Sequence, residues 1–119
     1  MKKLKSKQLH CLKAENISNS PFAYTISLIA GKYKMGILYA LAHFEILRYN
    51  RLKAYMGSIS FKTLTNALKE LERDDLIIRK EYASIPPKVE YFLSDKGKSL
   101  IPILDELCTW GEKHKPQEK

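Results

Sequence analysis

Pro86 and Pro87 restrict this chain more than any other residues, because they interrupt a stretch otherwise patterned as β-strand. Residues 76–83 alternate in strand fashion, and residues 89–93, Val-Glu-Tyr-Phe-Leu, resume the alternation. Two adjacent prolines offer no amide donor and fix φ, so they permit neither a helix nor pairing inside a sheet. The chain must therefore turn back on itself here. Lys88 follows the prolines directly, which makes residues 84–89 a stiff hairpin tip carrying a cation.

The segment before the hairpin has the opposite period. In residues 60–73, Leu64, Leu68 and Leu71 with Ala67 form an apolar stripe at helical spacing, while Lys62, Thr65, Asn66, Lys69 and Arg73 lie across from it. Ser60 is the expected N-cap, and Asp74-Asp75 closes the helix, with Asp75 fitting the turn less well than glycine would. A second short helix, 51–56, lies upstream, with Asn50 as its expected cap and Gly57 as its stop. Further upstream, Ser20-Pro21 opens a helix that ends at Gly31, with Phe22 on its apolar face, and another runs from Lys32 to His43. Residues 46–48 read as a short strand. Downstream, Ser94 caps a last helix, 95–113, whose Leu100, Ile103, Leu104, Leu107 and Trp110 make an apolar face too broad for a small domain to cover. Pro102 is expected to kink it, Cys108 reads as a small core hydrophobe, and Gly36 reads as a site of close helix packing.

Two helices joined by a short turn and followed by a basic hairpin predict a mainly α fold with a small β-hairpin (α+β), a winged helix-turn-helix with terminal dimerisation helices. Residues 1–19 read as a basic arm and 20–119 as the domain. Helix 60–73 has what major-groove reading needs: Ser60, Lys62, Thr65, Asn66 and Lys69 on a polar face whose reverse is anchored by leucines. Arg48, Arg51, Arg79 and Lys88 are the expected phosphate contacts. An ordinary solvated helix face would share the first pattern, and Lys80 can equally pair with Glu81 or Glu90.

Charge agrees with a polyanionic partner. The chain carries 21 Lys and Arg against 13 Asp and Glu, a net +8, and the excess sits in residues 1–30 (five Lys, one Glu) and 31–56 (five basic residues, one Glu). The hairpin region carries no such excess, so its role rests on a few placed cations. Catalysis finds no support: His10, His43 and His114 are scattered, and no nucleophile elbow, phosphate loop or metal-ligand spacing occurs, so neither cofactor nor metal is expected. Two cysteines 97 positions apart and the lack of a long apolar run point to a cytoplasmic chain without a membrane anchor. Cys11, between His10 and Lys13 with Lys7 a turn back, is the one candidate for oxidation, set against the reading of an inert cysteine on a loose arm.

At this point residues 20–111 resemble the HxlR family of winged helix-turn-helix transcription regulators, related in fold to the MarR group. The resemblance rests on Gly31-Lys32-Tyr33-Lys34, Leu47-Arg48-Tyr49-Asn50-Arg51-Leu52, Ile59-Ser60 with Leu64-Thr65 and Leu68-x-x-Leu71, Pro86-Pro87-Lys88-Val89-Glu90-Tyr91, and Trp110-Gly111. It implies a homodimer built by the terminal helices, Phe22 among their interface residues, with helix 60–73 reading double-stranded DNA at a pseudo-palindromic operator and the wing holding the flanking backbone. Repression is the expected sense, with the effector unknown. The family commonly has cysteine where this chain has Ser20, so oxidant sensing at that position is ruled out. The competing reading from another class is a winged-helix module that binds protein instead of DNA.

Overall fold

The computed structural model describes residues 17–117, within which the order of elements is α1 (Pro21–Ile29), α2 (Lys34–Phe44), α3 (Tyr49–Met56), α4 (Phe61–Arg73), β1 (Ile77–Tyr82), β2 (Lys88–Leu93) and α5 (Asp95–His114). The α+β class expected from the sequence is the one found. Residues 1–16 of the basic arm, Cys11 among them, lie outside the described residues, and the arm's last three, Ile17–Asn19, form a short 3-10 helix. Two compact units are present, the first ending at Ala30 and the second beginning at Gly31.

In the first unit Ser20 caps α1 as its sequence context demands. Its Oγ accepts the Ala23 N–H at 3.0 Å and donates to the Ile17 carbonyl at 2.6 Å. Leu28 and Ile29 are buried, whereas Phe22 and Ile26 are exposed.

The second unit is organised around α2. Ile37, Leu38, Ala40 and Leu41 are almost wholly buried, and the helix packs against α3, α4, α5 and β2. Leu52 from α3, Leu64 and Leu71 from α4, and Leu76 and Ile77 at the start of the hairpin complete the core. Each such side chain contributes roughly 1.5–3 kcal/mol by leaving water. Gly36 is exposed and faces α3, where an added Cβ would lie 3.1 Å from the Met56 methyl, the end of a flexible side chain, so the close helix packing expected of it is limited to that contact.

Local signals placed some boundaries incorrectly. Helix α3 starts at Tyr49 with Arg48 in the cap position and no side-chain cap bond, so Asn50 lies inside the helix and caps nothing. The expected strand at 46–48 is a single bridge, in which Leu47 and Tyr91 exchange N–H···O bonds of 3.0 and 2.8 Å. That bridge holds the chain extended up to Arg48, and the helix follows at once, so a tertiary contact overrides the asparagine's preference. At the far end of α2, Glu45 takes φ 69 and ψ −54, and the Ile46 N–H reaches the Phe44 carbonyl at 2.8 Å, a tight three-residue turn that non-glycine residues rarely adopt.

The strands pair antiparallel from Ile77↔Leu93 to Tyr82↔Lys88. Asp75 precedes them at φ 64, the left-handed conformation its position after α4 demands. Ser94 then locks hairpin to helix: its N–H donates to the Leu76 carbonyl at 3.1 Å, and its Oγ donates to the Asp75 carbonyl at 2.6 Å while accepting the Gly97 N–H at 3.0 Å. Helix α5 continues through Pro102, so the missing donor does not end it. Tyr39 of α2 donates to Asp105 of α5 at 3.1 Å. That bond, with further help from Cys108, pushes the phenol up to about 12. Cys108 is exposed, a correction to its expected place in the core: it lies one turn beyond Leu104, beside Tyr39, past the stretch of α5 that the core covers.

Candidate nucleic-acid interface

Helix α4 is amphipathic by its own sequence, and the core takes its leucine face. Leu64, Leu68 and Leu71 are buried, leaving Lys62, Asn66 and Lys69 exposed along the opposite side. Ser60 caps the helix by accepting the Thr63 N–H at 3.1 Å, and its hydroxyl also bonds Thr63 Oγ1 at 2.8 Å, so it is engaged locally. Thr65 is half-buried, and its hydroxyl shares a 3.1 Å hydrogen bond with Tyr49 Oη, which also donates to the Phe61 carbonyl at 3.1 Å. The tyrosine thereby ties α3 to the first turn of α4.

The second lysine of Gly31-Lys32-Tyr33-Lys34 has a structural task. Lys34 is 8% exposed, and its Nζ forms an ion pair with Glu70 Oε1, joining the start of α2 to the last turn of α4. The Lys34 ammonium holds the Glu70 carboxyl below its ordinary value of 4.5. A depressed carboxylate adds stability above its unfolded pKa and loses it as pH falls through the folded value. We therefore expect K34M to flatten the acid limb of the stability curve below about pH 4.5; equal slopes for both proteins in urea melts between pH 3 and 6 would show that the pair does not couple to folding.

The hairpin presents two different faces. Side chains alternate, so Arg79 shares one face with Tyr91, while Lys80 and Tyr82 share the other with Glu90 and Lys88. Arg79 lines a shallow hollow with Tyr49, Phe61, Thr65, Leu68, Lys69 and Tyr91, which places it beside α4. Hydrogen bonding to Tyr91 and then to Glu81, 3.2 Å away, raises the guanidinium above its usual value. Lys88 is not at the outermost point of the wing. It begins β2, lies 3.5 Å from Glu90 Oε2, and sits 4.9 Å from the Tyr82 ring centroid. Glu90 is in turn held low, first by the Tyr82 hydroxyl at 2.9 Å and more weakly by Lys88 and Arg48. The other face of the hairpin borders a cleft of about 620 Å³ toward α2 and α5. Arg48 and Arg51 are exposed at the start of α3.

The residues expected at a dimer interface divide. Leu100 and Leu104 are buried within their own chain, at 9% and 5% exposure, because this side of α5 covers the core. Ile103, Leu107 and Trp110 remain more than half exposed, as does Phe22 in the first unit. Sequence reasoning missed Tyr49, Phe61 and the Lys34–Glu70 pair. Only the amphipathic register of α4, which puts Phe61 on the outside, offered a signal for any of them.

A leucine-anchored helix with an exposed polar face, braced by a second helix and flanked by a basic hairpin, defines a winged helix-turn-helix DNA-binding module. The HxlR-like helix-turn-helix model matches residues 28–119, and the chain belongs to that family. It is 55% identical over 102 residues to the uncharacterized HTH-type transcriptional regulator BH0655 of Halalkalibacterium halodurans, covering 86% of this chain and 90% of that one. It is 53% identical over 92 residues to the uncharacterized HTH-type transcriptional regulator YdzF of Bacillus subtilis, covering 77% and 84%. Among solved structures, the redox regulator HypR in its oxidized form superposes with a TM-score of 0.76 at 35% identity, over 82% of this chain and 99% of that one. The chain is thus a transcriptional regulator with a helix-turn-helix DNA-binding domain, in a family of regulators and not of enzymes. Among the described residues no helix is long and apolar enough to cross a membrane.

Proposed function

We propose that the protein is a homodimeric repressor that sets two copies of α4 in successive major grooves, about 34 Å apart, on a pseudo-palindromic operator. The observation that carries this reading is the outward row of Lys62, Asn66 and Lys69 on a helix fixed from behind by Leu64, Leu68, Leu71 and the Lys34–Glu70 pair. Arg79 stands on the α4 side of the wing, and Arg48 and Arg51 at the head of α3, where cations meet the flanking phosphates. Lys88 adds a fourth cation that must exchange Glu90 for phosphate. Repression follows from a dimer occluding the promoter it covers.

Selection of bound fragments from genomic DNA, followed by binding measured against salt, tests this directly. If Arg48, Arg51, Arg79 and Lys88 of each subunit meet phosphate, the log-log salt slope is about −7. Binding indifferent to salt would instead favour a module that recognises protein. Asn66→Ala is expected to relax preference at one base pair, where the wild type discriminates by about 1–3 kcal/mol. A uniform loss over all sequences would reduce Asn66 to a positioning role.

A further inference from the structure

Phe61 is the first residue of α4 and is 65% exposed, the largest apolar surface that helix shows to solvent. Its position is fixed by Tyr49 in two ways. The Tyr49 ring lies 4.9 Å away at a 45° tilt, and the Tyr49 hydroxyl bonds the Phe61 carbonyl and Thr65 Oγ1. Helical spacing then puts Phe61 at the head of the row Thr65, Lys69 and next to Lys62. The first turn of a recognition helix lies nearest the base edges. A phenyl ring there has no donor or acceptor to offer, and the one apolar feature in the major groove is the C5-methyl group of thymine. We infer that Phe61 is a specificity-determining residue that selects a thymine in each half-site by packing its ring on that methyl group. This rests on the DNA-binding reading above and extends it from polar to apolar readout. Tyr49 acts as the positioning residue, since it limits where the ring can go.

The test uses operator DNA selected by the full chain and replaces each thymine in turn with deoxyuridine, which keeps the base pair and removes only the methyl. Wild type should lose about fourfold in affinity at one position per half-site, the worth of one buried methyl group. F61A should be insensitive to the replacement at that position while keeping its response to salt and to changes elsewhere. Phe61→Leu, which retains apolar contact, should keep part of the discrimination. Because the ring is exposed, thermal melts of both variants should match wild type. If wild type selects DNA but no single deoxyuridine weakens it, or if F61A stays as sensitive as wild type, Phe61 does not read thymine and the DNA-binding reading stands. Failure of wild type to select any DNA would overturn both.

Discussion

Gly97→Ala should unfold the protein at markedly lower temperature, with a loss of at least about 2 kcal/mol, or roughly 10 °C in Tm. A Cβ at Gly97 would stand 2.1 Å from the Leu76 carbonyl oxygen and 3.1 Å from its carbon. That carbonyl cannot swing aside freely, because it accepts the Ser94 N–H at 3.1 Å. The start of α5 would have to lift from the hairpin, and with it would go the Ser94 bonds to Asp75 and Gly97. Alanine's better helix propensity, worth about 1 kcal/mol, offsets only part of this. Gly36→Ala is the matched control. Its Cβ would meet only the flexible Met56 side chain, 3.1 Å away at the methyl, so the same propensity gain should leave the melt unchanged or slightly higher. Equal melts for both variants would mean that α5 is not seated on the Leu76 carbonyl.

If the proposed homodimer forms through α5, Leu107→Glu should turn it into a monomer and weaken operator binding by about 10²–10⁴-fold, the avidity lost when two half-sites are no longer joined. Ile103, Leu107 and Trp110 follow one another at four- and three-residue steps, and their exposures of 52%, 54% and 64% mark a continuous apolar stripe on α5. In a two-fold interface each substitution appears twice, so two carboxylates would be buried without partners. The fold itself should persist, since Leu107 is exposed while Leu100 and Leu104 hold α5 to the core. Sedimentation velocity and gel shift on the same preparation read both effects. A variant that remains dimeric would place the interface elsewhere.

Much of the fold was legible because its signals are local. Ser20, Ser60 and Ser94 each cap the helix expected of them, as a hydroxyl bonding to an amide three residues on needs nothing from the rest of the chain. The leucine stripe of α4 faces the core for the same reason, and Pro86-Pro87 marks the turn between β1 and β2. What failed was set by distant partners. Asn50 lost its capping role because Leu47 pairs with Tyr91, and the strand around it shrank to that bridge. Leu100 and Leu104 belonged to the chain's own core, while Ile103 and Leu107 did not, a division that depends on how α5 meets α2. Lys34 looked like one more cation until Glu70 came beside it.

The amino-acid sequence alone determined the helices, the hairpin and the polar face of α4, since periodicity, capping and proline chemistry act over a few residues. The tertiary structure decided how those pieces serve an interface. It turned Arg79 toward α4 and Lys88 toward Tyr82 and Glu90, because alternation along a strand separates faces but only packing says which face meets which neighbour. It also held the exposed Phe61 against Tyr49, a contact that depends on where the start of α3 meets the start of α4 and on nothing adjacent in the chain.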